Sequence, residues 1–128
     1  IREYNTYSSF SLWDTYRAEM SLLHLILSQQ QMNEMIQSLV TFAKFNPPSY
    51  TLPLFDLYRQ DTRTMIGYPA VSVVANAILR RKTFKNSDEA SEMLTLLKRT
   101  ATRGELASYI SRLTFIPSNL VEQSVSKA

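Results

Sequence analysis

Trp13, Asp14, Thr15, Tyr16 and Arg17 stand side by side near the start of the chain, and Trp13 is its only tryptophan. These side chains can do more than pack. A carboxylate offers two acceptor oxygens, a guanidinium offers charge and several donors, and an indole offers an apolar face with one N–H. A sugar-binding pocket would use all of them. A helix start would use them too: Trp13 as a core anchor, Asp14 as the acid favoured in a first turn, Arg17 as its partner. The residues alone leave both readings open. The single histidine, His24, has no acid or second histidine three or four positions away, which points away from a metal or general-base role.

The elements that position these residues are helical. In the first, from about Leu12 to Ser28, Tyr16, Met20, Leu23 and Leu27 form one apolar stripe at about 100° per residue, widened by Leu22 and Ile26. Asp14, Arg17, Ser21, His24 and Ser28 fall on the opposite side, and Ser11 stands where an N-cap belongs. Gln29, Gln30 and Gln31 read as a short link to a second helix carrying Met32, Met35, Ile36, Leu39, Val40 and Ala43. Asn46, Pro47 and Pro48 end it. Residues 47–63 read as a long irregular loop, ordered by its prolines and apolar anchors. A third helix, roughly Thr64 to Lys82, is apolar on nearly every side, with Ser72 and Asn76 its only strongly polar middle residues. Asn86 and Glu89 form a capping-box pattern for a fourth helix, which Gly104 ends, and a fifth runs near Glu105 to Leu113. No strand pattern competes, so the fold class is all-α.

Composition sets the outer limits. The 128 residues suffice for one compact domain, and 45% hydrophobic with 20% charged residues excludes wholesale disorder. The longest apolar stretch, Met65 to Leu79, is interrupted by Gly67, Pro69, Ser72 and Asn76 and falls short of the about 20 residues a membrane span needs. The net charge is +3, and the basic residues cluster only at Arg80, Arg81, Lys82 and Lys85, where a helix end favours cations. No nucleic-acid partner is read from them. The absence of cysteine excludes disulfides and thiolate metal sites. The chain opens on Ile1 without a leader pattern and closes on Ser-Val-Ser-Lys-Ala, so it reads as an internal piece of a longer protein.

Three stretches, in order and in register, carry a resemblance: Phe-Ser-Leu-Trp-Asp-Thr-Tyr-Arg at 10–17, Thr-Met-Ile-Gly-Tyr-Pro-Ala-Val at 64–71, preceded by Leu-Pro-Leu-Phe-Asp-Leu at 52–57, and Phe-Ile-Pro-Ser-Asn-Leu-Val-Glu-Gln-Ser-Val-Ser-Lys at 115–127. Together the sequence resembles glycoside hydrolase family 92, the calcium-dependent exo-acting α-mannosidases, across essentially its whole length. It departs from the family pattern at Met20 and Ser21, at Arg59 to Thr62, at Pro69 and at Asn76.

The resemblance implies that residues 1–128 are part of one catalytic domain, a partial (α/α)6 toroid of helical hairpins, in a secreted or periplasmic enzyme. It implies that Trp13 and Asp14 line the subsite for a terminal mannose, with Arg17 holding Asp14 ionised and aimed. Asp61 and Thr62 are candidate pocket-loop residues by position. The family inverts at the sugar carbon with an acid and a base about 6.5–9.5 Å apart. Those carboxylates and the calcium ligands are expected beyond this segment, so it contributes a sugar-binding wall, no catalytic residue and no metal ligand, and its partners are mannose-containing glycans and the remainder of the domain. The alternative is a stand-alone, non-catalytic helical module that binds sugar or a protein partner. A chain supplying only part of a ring would leave Val71, Val74, Ile78 and Leu79 partly covered.

Overall fold

The structure, a computed structural model, describes residues 5–7, 11–47, 50–57, 60–62, 64–65, 67–80, 87–102, 107–115 and 117–119. Among them α1 (Leu12–Thr15), α2 (Glu19–Ile26) and α3 (Gln29–Lys44) come first. A small pair, β1 (Asp56–Leu57) and β2 (Gln60–Asp61), follows. Then come α4 (Pro69–Leu79), α5 (Ser87–Thr102) and α6 (Ala107–Leu113). The cap expected at Asn86, the break at Gly104, the run Arg81, Lys82 and Lys85, and residues 120–128 lie outside the described residues.

The core is helical, as the periodicity requires. Met32, Ile36, Leu39, Val40 and Ala43 of α3 bury one face against Ala70, Val73, Val74 and Ala77 of α4 and Met93, Leu96 and Leu97 of α5, and Leu12 of α1 closes one end. Each fully buried aliphatic side chain contributes about 1.5–3 kcal/mol through removal from water. The one departure from helix is the antiparallel ladder, in which Asp56 faces Asp61 and Leu57 faces Gln60. It lies inside the long loop and takes no part in the core.

Three expectations are corrected. The first helix is two: Tyr16, Arg17 and Ala18 form a turn between them, and Ala18 departs from helical geometry at φ −123° and ψ −56°. Tyr16, Met20, Leu23 and Leu27 stay on the core side all the same, while Leu22 and Ile26, expected to widen that stripe, are exposed. His24, expected on the polar side, is fully buried, with Nδ1 donating to the Met20 carbonyl at 2.6 Å. The glutamines are no link. Leu27 and Ser28, both extended, make the join. Gln31 closes a capping box on Ser28: the Gln31 amide donates to the Ser28 hydroxyl at 3.2 Å, and the Ser28 amide donates to the Gln31 carboxamide at 3.1 Å. Finally, α4 starts at Pro69 rather than Thr64, because Met65 (φ 74°) and Gly67 (φ 79°) occupy the left-handed region that a helix cannot use. Pro69 then falls in the first turn, where its missing N–H has no cost. Of the α4 residues expected to be partly covered, Val71 and Ile78 are half-buried and Leu79 is exposed, but Val74 is fully enclosed.

Two polar ties fix the segments around the core. Thr100, buried on α5, accepts from the Leu52 amide at 3.1 Å and donates to the Leu96 carbonyl at 2.9 Å, which pins the loop to the helix. At the amino end, Asn5 donates to Glu34 at 3.0 Å, and the Tyr7 amide donates to the Ser38 hydroxyl at 2.9 Å. Gln30 donates to the other oxygen of Glu34 at 3.1 Å.

Replacing Thr100 by Val keeps the shape but strands the buried Leu52 amide. We expect a loss of about 1–3 kcal/mol in chemical denaturation. Glu34 carries a pH dependence. Hydrogen bonds from Gln30 and Asn5 hold its carboxyl below the ordinary carboxylate range in the folded state. Its contribution is therefore full above the unfolded-state value and is lost as the pH falls through the lower folded value. Stability measured against pH for the wild type and Glu34→Gln should converge on acidification and separate near neutrality.

Candidate functional site

The cluster at the amino end is built around Ser11. Its carbonyl accepts from the Asp14 and Thr15 amides, both at 3.1 Å, and from the Thr15 hydroxyl at 3.0 Å, which winds the single turn of α1. Its hydroxyl hydrogen-bonds the Asp14 carboxylate. A one-turn helix has little dipole, so this bond rather than the helix end positions Asp14. The carboxylate is exposed, and Trp13 beside it is half-buried. Ser11 does not cap with its side chain as the sequence suggested.

Arg17 turns to the rings instead of the carboxylate. Its guanidinium carbon lies 5.2 Å from the Tyr16 ring centroid and 6.0 Å from that of Trp13, and its Nε donates to the Tyr16 hydroxyl at 2.9 Å. Such contacts contribute about 0.5–1 kcal/mol at an exposed site. Among the described residues no ion pair joins Arg17 to Asp14. The backbone does not force this: Tyr16 keeps right-handed helical dihedrals (φ −61°, ψ −30°), so Arg17 stands one turn from Asp14, and its ring contacts and the bond to the Tyr16 hydroxyl set its direction.

Asp61 and Thr62 form a second group on the loop. One Asp61 oxygen accepts from the Leu54 and Phe55 amides, both at 3.2 Å. The Thr62 amide and hydroxyl donate to the Phe55 carbonyl at 3.1 and 3.2 Å. Asp61 is half-buried and Thr62 exposed. Both residues shape the loop that carries them.

A further concavity of about 300 Å³ lies between α3 and α5, lined among others by Gln37, Lys44, Tyr50, Glu89, Glu92 and Arg99. Lys44 pairs with Glu92 at 3.0 Å, both exposed. Gln37 and Lys44 are seven apart, as are Glu92 and Arg99, so each pair shares a helix face. That spacing was visible in the sequence, but which two helices face each other was not.

The family model of the glycosyl hydrolase family 92 catalytic domain matches residues 1–128. The chain belongs to that family. Among solved structures it is similar to the family GH92 alpha-mannosidase BT3965 from Bacteroides thetaiotaomicron, at 28% identity with a TM-score of 0.81 over 99% of this chain. It is similar in the same measure to that alpha-mannosidase in complex with mannoimidazole. The chain spans 17% and 16% of the length of those two structures. No curated protein matches it.

Among the described residues of this family 92 chain, no three His, Asp or Glu side chains stand together as a group that could hold a metal ion. Nor is any of the described helices long and apolar enough to cross a membrane.

The loop geometry makes a sharp expectation for Asp61. Asp61→Ala removes the shared acceptor of two backbone amides, a local loss of about 1.5–3 kcal/mol for charge-assisted bonds. Amide hydrogen exchange at Leu54 and Phe55 should accelerate about tenfold or more, while the amides of α3 keep their protection.

Proposed function

We propose that this chain is one part of the catalytic domain of an inverting, calcium-dependent exo-α-mannosidase, and that it supplies part of the wall holding the terminal mannose. The observation that carries this is the family match over the whole chain together with its close superposition on an alpha-mannosidase, which has also been solved with mannoimidazole. The local geometry supports it. Asp14 presents an exposed carboxylate fixed by Ser11, and a carboxylate can accept from two adjacent sugar hydroxyls. Half-buried Trp13 adds an apolar ring beside it, and the Arg17 guanidinium stands over that ring.

On this reading the helices are a portion of an (α/α)6 toroid, and Asp61 and Thr62 shape a loop at its rim. The acid and base that act on opposite faces of the sugar come from elsewhere in the domain. So do the residues that would hold calcium, and nothing in this segment moves a proton through them. The family resemblance is also the support for a secreted or periplasmic location.

In the full polypeptide, Asp14→Asn keeps the shape but weakens the acceptor for a hydroxyl pair. We expect kcat/KM on an α-mannoside to fall at least about a hundredfold, on the order of 3 kcal/mol of transition-state binding, with an unchanged unfolding midpoint. An unaltered kcat/KM would remove Asp14 from the sugar site.

A further inference from the structure

Helix α2 is apolar on both of its sides. At about 100° per residue, Met20, Leu23, His24 and Leu27 fall on one side, and all four are buried or half-buried. Leu22, Leu25 and Ile26 fall on the other, 53%, 71% and 66% exposed. A helix that is apolar all round is a buried helix. The contrast with α5 is plain: it buries Met93, Leu96 and Leu97 and turns Glu92 and Lys98 outward. Single exposed apolar residues such as Phe45 or Leu79 need no explanation, but three large aliphatic side chains adjoining on one helix face form a patch.

The solved relatives are several times longer than this chain, which spans 17% of one of them. The outward face of α2 carries a single charge, at Glu19, so its counterpart must be apolar. A second copy fits poorly: eight residues make a helix about 12 Å long and about 10 Å wide, a face of about 120 Å² against the about 800 Å² per partner of a standard interface.

We infer that Leu22, Leu25 and Ile26 form the seam on which the rest of the same polypeptide's domain packs, through an apolar helix face. The inference rests on the reading of this chain as one part of a larger domain. It adds a face on α2 to the partly covered α4 residues Val71, Ile78 and Leu79.

The test uses the polypeptide that includes the rest of the domain and compares Leu25→Ala, Leu25→Glu and Leu25→Met by thermal unfolding. Alanine is the best helix former and glutamate is close to leucine, so on a solvent-facing helix these changes are neutral or slightly stabilising. At a packed seam Leu25→Ala should lower the midpoint by several degrees, Leu25→Glu should lower it further or abolish folding, and Leu25→Met should stay near wild type. An unchanged or raised midpoint for Leu25→Ala overturns the inference. So does a dimer that Leu25→Glu converts to monomer at constant midpoint, which would make a second copy the occupant. Hydrolysis of an α-mannoside by the unsubstituted polypeptide separates the two ideas: activity with an insensitive Leu25 sinks the seam and leaves the proposed function standing.

Discussion

Pro69 has no amide hydrogen to give, and the middle of the chain is arranged around that fact. A proline can open a helix but not continue one, so α4 begins there and the residues before it must do something else. What they do is turn: Met65 and Gly67 adopt left-handed geometry and bring the loop to the helix at a fixed angle. Once α4 starts at Pro69, Ala70, Val73, Val74 and Ala77 fall on one face. Their small side chains let α3 and α5 approach, and the shared core follows. A helix started five residues earlier would carry a proline in its second turn.

The long loop is held at both ends by polar ties rather than by repeated structure. Thr100 receives the Leu52 amide inside the core, and Asp61 gathers the Leu54 and Phe55 amides near the small strand pair. Leu52 and Pro53 are buried between these two ties. The loop is thereby ordered without a helix or an extended sheet, and Asp61 and Thr62 keep a set place relative to α5.

Much of the fold was legible in the sequence, because α3, α4 and α5 each repeat apolar residues at helical spacing. The break between α1 and α2 was not. No proline or glycine marks Tyr16 to Ala18, and apolar residues continue through it, so the periodicity appeared unbroken. His24 is a different case: it stands one turn from Met20 within α2 and shares its buried side, which the polar character of imidazole hides in the sequence. The start of α3 is marked in the sequence: Ser28 followed three residues later by Gln31 is a capping signature inside a polar run. At the site, the nearness of Trp13, Asp14 and Arg17 was legible because they are neighbours in the chain. The direction of Arg17 was not, since two rings, a hydroxyl and a carboxylate all lie within its reach. The tie from Asp61 to Leu54 and Phe55 needed the loop's path, which no short pattern encodes.

Trp13 is the only indole in the chain, and it stands against a guanidinium beside the exposed Asp14. Excitation at the red edge of protein absorbance therefore reports from this one place. Any occupant that displaces Arg17, excludes water from the ring or stacks on its face changes the colour and lifetime of that emission. The segment thus carries its own optical gauge of what happens beside Asp14, with no label to attach.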